Sequence, residues 1–156
     1  MNRRELFSSL AFKKQESVIR PPYYKDDIFL NECISCEGLC KDVCPTNIIF
    51  IQKNKTPALN FEHAGCTYCD ECAIVCPTQA LSLEFKHTIK AKITINTEKC
   101  LSWNRTMCFS CKDPCLDTAI DFLALFKPSI NDNCTSCGYC IKACPTGAIE
   151  ISTLNE

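Results

Sequence analysis

Residues 66–77 read CTYCDECAIVCP, and residues 134–145 read CTSCGYCIKACP. Both stretches space four cysteines by gaps of two, two and three residues and end in a proline. The two short gaps let one tight loop fold three thiolates around a common centre, whereas the three-residue gap carries the fourth cysteine about one helical turn onward. The proline cannot continue the hydrogen bonding of a helix, so the chain turns there. Each stretch therefore predicts three thiolates on one centre and a fourth thiolate that faces a second centre.

The four-cysteine pattern recurs in looser form in two other places. The four groups start 33, 34 and 34 residues apart, at Cys33, Cys66, Cys100 and Cys134. Group one has one extra residue before its third cysteine, and Gly38 in that gap suits a strained backbone position. Group three has seven residues between its first two cysteines and Leu116 in place of the proline. Its long loop carries Trp103, Arg105 and Met107, which either shield a site, form a contact patch or simply pack as a loop.

These groups predict iron–sulfur chemistry. Cysteine makes up 16 of the 156 residues, and the C-x2-C-x2-C-x3-C-P spacing is typical of thiolates that bind [4Fe-4S] clusters. Zinc is the alternative metal, but its four-cysteine sites usually pair two short motifs across a longer gap. Four ligands for each cluster use every cysteine in the chain. We therefore predict four [4Fe-4S] clusters and keep a structural zinc module as the remote alternative.

The ligands of each cluster follow from the rule that the fourth cysteine of a group binds the other cluster of a two-cluster ferredoxin. Clusters A and B belong to the first two groups, and clusters C and D to the last two. The predicted ligands are Cys33, Cys36, Cys40 and Cys76 for cluster A; Cys66, Cys69, Cys72 and Cys44 for cluster B; Cys100, Cys108, Cys111 and Cys144 for cluster C; and Cys134, Cys137, Cys140 and Cys115 for cluster D.

Catalysis is not expected from this ligand scheme, because it leaves neither a free thiol nor an open position on iron. The sequence also has no glycine-rich nucleotide motif and no phosphate-binding lysine loop. His63 and His87 are single histidines, for which surface or core roles are expected. We therefore predict no catalytic residue and no enzyme activity.

The predicted fold is α+β: two tandem bacterial-type 2[4Fe-4S] ferredoxin-like domains with short strands and short helices around the clusters. The domains cover residues 28–87 and 88–156. Each is small, so folding and cluster insertion are expected to be coupled. The strands are predicted at 58–61, 81–85, 122–126 and 149–151, with a further alternating run from Ile89 to Ile95. The helices are predicted at 39–44, 70–76, 111–115 and 139–144.

Charge and hydropathy limit the location and the partners. The net charge is −1, so no nucleic-acid partner is predicted. The apolar run at 6–12 contains two serines and ends at Lys13, which makes it too short for a secretory signal, and no membrane span is predicted. We therefore expect a cytoplasmic protein, in which thiols stay reduced and clustered cysteines bind metal rather than form disulfides.

The N-terminal segment, residues 1–27, lies outside the repeat. Arg3, Arg4, Lys13 and Lys14 flank apolar residues with helical spacing. This pattern is typical of a basic, partly apolar arm. Two interpretations stay open: the arm docks a partner, or it is a tail that packs on its own domain.

Taken together, the chain resembles the NapF family of ferredoxin-type proteins. The resemblance rests on residues 2–7 (NRRELF), residues 19–22 (IRPP), the order of the four groups and the expanded gap from Cys100 to Cys108. It implies a cytoplasmic protein with four [4Fe-4S] clusters that helps to mature the catalytic subunit of periplasmic nitrate reductase before its export. The implied partners are the cytoplasmic precursor of that subunit and redox partner proteins. An electron carrier in a respiratory or nitrate-reducing chain is the alternative function.

Overall fold

The computed structural model describes residues 18–25 and 29–154. Its elements are short, because the cysteine loops leave few residues for each helix or strand. The helices are α1 (Phe29–Glu32), α2 (Leu39–Asp42), α3 (Glu71–Ile74) and α4 (Tyr139–Ala143). The strands are β1 (Ile49–Ile51), β2 (Pro57–Leu59), β3 (Ala91–Ile95), β4 (Ile120–Leu123), β5 (Phe126–Ile130) and β6 (Ile149–Thr153).

The strands form three antiparallel pairs that repeat one organisation in the two halves of the chain. β1 pairs with β2 and β4 pairs with β5, so each half has one hairpin between its two cysteine groups. In the second half β3 pairs with β6, which joins the start of that half to its end. The first half closes in the same way through a single bridge between Tyr24 and Leu81.

Residues 18–25 take part in the framework of the first half. Pro21, Pro22 and Tyr23 are buried, and the Tyr23 carbonyl accepts a 2.8 Å hydrogen bond from the backbone N–H of Ser82. Arg20 Nη1 donates to Gln52 Oε1, Thr56 Oγ1 and the Pro57 carbonyl, at 2.9, 2.6 and 2.8 Å. This guanidinium therefore ties residues 18–25 to the β1–β2 hairpin. Residues 1–17, which carry the basic positions of the predicted arm, lie outside the described residues, and the domain boundaries at 27 and 87 stay a prediction.

Most of the predicted elements are confirmed with changed bounds; β6 extends two residues beyond its predicted end, to Thr153. β2, β6 and the run that ends at Ile95 appear as strands, and α2, α3 and α4 fall within the predicted helices. The strand predicted at 81–85 is wrong: after the bridge at Leu81 the chain forms a 3₁₀ turn at Leu83–Phe85, which begins where Ser82 Oγ accepts from the Glu84 N–H. Leu83 is half exposed, so its alternation with Leu81 does not mark a buried face.

Two further predictions of local structure are wrong. The strand predicted at 122–126 is interrupted by the turn between β4 and β5, where Ala124 has a positive φ of 56°. The helix predicted at 111–115 is a series of turns, because Pro114 has no N–H to donate and Cys115 instead donates to the Lys112 carbonyl. Strand β1 was not predicted, because it has only three residues and its burial pattern is irregular.

Each half has a small core in which sulfur contributes much of the buried surface. Cys33, Cys40 and Cys72 are buried in the first half, and Cys111 and Cys140 in the second. The apolar residues around them are mostly isoleucine and alanine. Cores of this size supply little free energy of folding, so bound cofactors are expected to stabilise both halves. Within the described ranges, no helix has the length and apolar character needed to cross a membrane.

Candidate metal centres

Four cavities are each lined by four cysteines. Three of the four come from one group, and the fourth is the last cysteine of the partner group in the same half. The sets are Cys33, Cys36, Cys40 and Cys76 in cavity A; Cys66, Cys69, Cys72 and Cys44 in cavity B; Cys100, Cys108, Cys111 and Cys144 in cavity C; and Cys134, Cys137, Cys140 and Cys115 in cavity D.

The structure thus brings together each predicted set, in which the fourth cysteine of one group joins the first three of the other group. We call this arrangement crossed ligation. Short helices produce the crossing: α3 starts directly after Asp70, carries Cys72 and ends before Cys76, which it delivers to cavity A. α4 does the same for Cys144, which reaches cavity C.

The loops that precede these helices turn backbone N–H groups toward sulfur. In groups two and four, the second residue after the first cysteine has a positive φ, 53° at Tyr68 and 57° at Ser136. The residue before each helix also has a positive φ, which is 69° at Asp70 and 83° at Gly138. The Tyr68 N–H donates to Cys66 Sγ at 3.4 Å. Such bonds favour the thiolate over the thiol.

Burial and neighbouring thiols raise the pKa of the innermost cysteines. Burial, followed by the charges of Cys36, Cys76 and Cys33, raises the pKa of Cys40 to about 12. The pKa values of Cys72 and Cys140 are also raised to about 12, mainly by burial. These thiols hold their protons at neutral pH when no metal is bound. Metal binding must therefore release protons, which couples assembly of the site to pH.

Two of the four final cysteines, Cys44 and Cys144, have a different environment. Burial alone would raise the pKa of Cys44, but hydrogen bonds from the Thr46 hydroxyl and from nearby backbone N–H groups outweigh it and lower the pKa. Cys144 has a lowered pKa for the same reasons, with Thr146 as the hydroxyl donor. The sequence could have indicated these threonines, because a threonine lies two residues after three of the four final cysteines, each time in the order Cys-Pro-Thr.

Cavities B and D meet where the two halves join. The Cys66 N–H donates a 2.7 Å hydrogen bond to the Cys137 carbonyl. The Tyr68 hydroxyl donates to the Thr135 carbonyl at 2.5 Å, and it accepts from the Ile89 N–H at 3.1 Å. One short contact thus links a cysteine of cavity B to a cysteine of cavity D.

The four cavities form a single series in the order A, B, D, C. In the first half α2 packs against α3, and the charge of Cys40 contributes to the raised pKa of Cys72, so cavities A and B are neighbours. In the second half the charge of Cys111 acts in the same way on Cys140, so cavities C and D are neighbours. The contact between Cys66 and Cys137 completes the series.

The spread of the thiols favours a polynuclear cluster over zinc. Among residues 18–25 and 29–154, no three cysteine, histidine, aspartate or glutamate side chains are placed to hold a single metal ion. A zinc ion needs its thiolates at about 2.3 Å from one centre. A [4Fe-4S] cube binds each thiolate at a different iron and spreads the four sulfurs more widely. Four cysteines around one cavity are therefore a donor set that fits a cube.

The expanded loop of group three packs on its own half. Trp103 Nε1 donates to the Pro128 carbonyl at 3.1 Å, and the Lys127 ammonium lies 5.6 Å from the Trp103 ring centre. Buried Ser102 donates to the Cys108 carbonyl at 2.7 Å. Trp103 therefore packs as part of the loop, as one of the three interpretations predicts. Met107, in contrast, is 64% exposed.

Comparison with protein families agrees with these sites. Residues 32–80 match a 4Fe-4S dicluster domain, and residues 129–150 match a 4Fe-4S binding domain. The two matched segments include the cysteine groups of the first half and the final group of the second. The chain is therefore a ferredoxin-type iron–sulfur protein with [4Fe-4S]-binding domains.

Individual sequence relatives identify the family to which the chain belongs. The ferredoxin-type protein NapF of Escherichia coli (strain K12) is 31% identical over 150 residues, covering 92% of this chain and 90% of that protein. NapF of Haemophilus influenzae is 32% identical over 170 residues, with 98% and 92% covered. The methylamine utilization ferredoxin-type protein MauM of Methylophilus methylotrophus is 30% identical over 151 residues, which cover 82% of this chain and 66% of MauM. The chain belongs to the NapF family.

Proposed function

We propose that this chain binds four [4Fe-4S] clusters, one in each cysteine-lined cavity, and works as a ferredoxin-type redox protein. The observation that carries the proposal is the grouping of all sixteen cysteines, four to each of four cavities. The cysteines of cavities A, B, C and D are the ligands of clusters A, B, C and D. Two tandem 2[4Fe-4S] ferredoxin-like domains account for this grouping.

A [4Fe-4S] cluster supplies a one-electron redox couple. The protein residues contribute thiolates, N–H donors to sulfur and burial, which together set the reduction potential. Because each proposed site uses four cysteines, no iron position is open to a substrate. We therefore propose a role in electron transfer rather than an enzymatic one.

The biological role that we propose is cytoplasmic maturation of the catalytic subunit of periplasmic nitrate reductase, before export of that subunit. Membership of the NapF family over nearly the whole chain supports this role. The partner is the unexported precursor, which receives a cluster, electrons or redox protection while it acquires its cofactors. Redox proteins that reduce the clusters are the second class of partner.

An electron carrier in a respiratory or nitrate-reducing chain is the second candidate function. The series of cavities A, B, D and C favours it, because four clusters in a row provide a path between a donor at one end and an acceptor at the other. A carrier meets its partners briefly through small, salt-sensitive contacts. A maturation factor needs a longer contact with one precursor.

The experiment that separates the two roles uses a strain that lacks this protein. Nitrate reductase activity is measured once with an artificial electron donor and once with the physiological donor chain. The maturation role predicts low activity with both donors, because the defect lies inside the enzyme. Full activity with the artificial donor and loss only with the physiological chain would replace it with the carrier role.

A further inference from the structure

One position differs between cavity D and the other three cavities. The residue two places after each fourth cysteine lines the cavity that receives that cysteine. It is threonine in cavities A, B and C, namely Thr78, Thr46 and Thr146. In cavity D it is Asp117, two residues after Cys115.

The three threonines place a hydroxyl beside sulfur. Thr46 Oγ1 lies 3.6 Å from Cys44 Sγ, Thr78 Oγ1 lies 3.7 Å from Cys76 Sγ, and Thr146 Oγ1 lies 3.6 Å from Cys144 Sγ. A hydroxyl can donate its proton to a thiolate, and such donation favours the more negative state of the site. Each of these cavities therefore has a donor that helps to stabilise a reduced cluster.

Asp117 reverses this effect in cavity D. An ionised carboxylate has no proton to donate, so Cys115 Sγ keeps the Ala119 N–H at 3.2 Å but has no hydroxyl at this position. The carboxylate instead accepts a 2.6 Å hydrogen bond from Thr135 Oγ1. The residue lines cavity D together with Cys115 and Cys137, so its charge lies beside the sulfurs of the cavity.

Carboxylates alone do not distinguish cavity D, because Asp70 lines cavity B. Asp70, however, forms an ion pair with Lys86 at 2.7 Å and accepts a 2.7 Å hydrogen bond from Tyr23. The ammonium balances much of its charge. The Thr135 hydroxyl that donates to Asp117 carries no charge to do the same.

We propose that Asp117 makes the cluster in cavity D the hardest of the four to reduce. The proposal rests on the proposed binding of four clusters. Reduction adds one negative charge to the cluster, which a hydroxyl donor favours and a nearby carboxylate opposes. Asp117 acts on the cluster as a tuning residue from the edge of the cavity and is not a ligand.

The position of cavity D means that a low reduction potential there affects electron transfer between the two halves. Because D lies between B and C in this series, an electron that follows the series from C to B crosses the cluster that Asp117 disfavours. In that transfer the cluster in C loses one electron, the cluster in B gains it, and the cluster in D is reduced and reoxidised by the same electron. Asp117 thereby opposes electron transfer between the clusters of the first half and the cluster in C.

A potentiometric titration of the anaerobically purified, full-length protein, followed by electron paramagnetic resonance, tests the proposal. In Asp117→Thr, the lowest of the four midpoint potentials should rise so that the ratio of reduced to oxidised cluster at a fixed potential increases at least tenfold, which is about 59 mV. Asp117→Asn, which removes only the charge, should shift the same midpoint in the same direction by less. The other three midpoints should stay in place.

Asp121→Asn is the matched control, because it removes the same charge from β4 at a residue that lines none of the four cavities. The proposal is overturned if Asp117→Thr leaves the lowest midpoint unchanged, or if Asp121→Asn raises it equally. If Asp117→Thr fails to assemble, Thr146→Asp decides: a tenfold fall in the ratio of reduced to oxidised cluster at one midpoint supports the proposal, and no fall rejects it. Iron content of the wild-type protein, measured first, shows separately whether four clusters are present at all.

Discussion

The backbone N–H of Cys66 donates a 2.7 Å hydrogen bond to the backbone carbonyl of Cys137. These two cysteines line different cavities in different halves of the chain, so the bond joins cavity B directly to cavity D. Gly65 allows this approach. A Cβ at residue 65 would lie 2.7 Å from the Cys137 carbonyl oxygen and 2.6 Å from the Tyr139 ring.

Gly65→Ala is therefore expected to open the contact between the halves. The added methyl group meets a backbone oxygen that cannot move cheaply, and overpacking of this kind costs about 1–3 kcal/mol of folding free energy. Hydrogen exchange should report the change locally, as faster exchange of the Cys66 amide in the variant than in the wild-type protein.

Gly147→Ala is the matched control. Gly147 has a φ of 61°, but a Cβ there would meet no atom within 4 Å. The corresponding residues of the other three groups, Asn47, Gln79 and Thr118, adopt positive φ values with side chains present. The control should therefore lose some stability through backbone strain alone and leave exchange at Cys66 unchanged. Equal exchange at Cys66 in both variants would argue against a steric role for Gly65.

Arg20→Lys is expected to weaken the first half although it keeps the charge. Arg20 Nη1 donates to Gln52, Thr56 and the Pro57 carbonyl, and a lysine ammonium cannot reproduce the planar geometry of the guanidinium. Loss of hydrogen bonds from a charged donor costs about 1–3 kcal/mol. The denaturant midpoint for loss of visible absorption should fall accordingly.

Lys53→Ala, at an exposed residue between β1 and β2, provides the comparison for Arg20. Surface substitutions of this type stay within about 0.5 kcal/mol. If Arg20→Lys and Lys53→Ala have the same denaturant midpoint, residues 18–25 are not fastened to the hairpin by this guanidinium.

The cysteine sets of the four cavities could be predicted from the sequence because local spacing determines them. A three-residue gap on one turn of helix sends Cys76 and Cys144 away from their own groups regardless of the rest of the fold. The contact between Cys66 and Cys137 could not be predicted in this way. It depends on long-range packing of two halves, and a repeat in sequence carries no information on how its copies meet.

Two local turns also could not be predicted from the pattern of apolar residues. Leu81 and Leu83 alternate as in a strand, but only Leu81 is buried, because Ser82 accepts the hydrogen bond that starts a 3₁₀ turn. Ala124 interrupts a run of apolar residues with a positive φ that alanine seldom adopts. In both cases hydrogen bonding and strand pairing override the periodicity of the side chains.

Cys76→Ala should remove the cluster in cavity A and spare the cluster in cavity B. The physical reason is that Cys76 lines cavity A with Cys33, although its nearest cysteine in sequence is Cys72 of cavity B. Cys76→Ala and Cys33→Ala should therefore abolish the same reduction midpoint, and Cys72→Ala a different one.

The reciprocal variant completes this test of crossed ligation. Cys44→Ala should abolish the midpoint that Cys72→Ala removes, since both cysteines line cavity B. If Cys76→Ala and Cys72→Ala instead remove one and the same midpoint, each group binds its own cluster and the crossed assignment is wrong.

The metal and sulfide content of the anaerobically purified protein tests the central claim most directly. Sixteen cysteines in four cavities predict about sixteen iron and sixteen sulfide ions per chain, with visible absorption that dithionite bleaches. Zinc at about four ions per chain, without sulfide and without visible absorption, would contradict the account, because zinc binds four thiolates at one centre and has no redox chemistry.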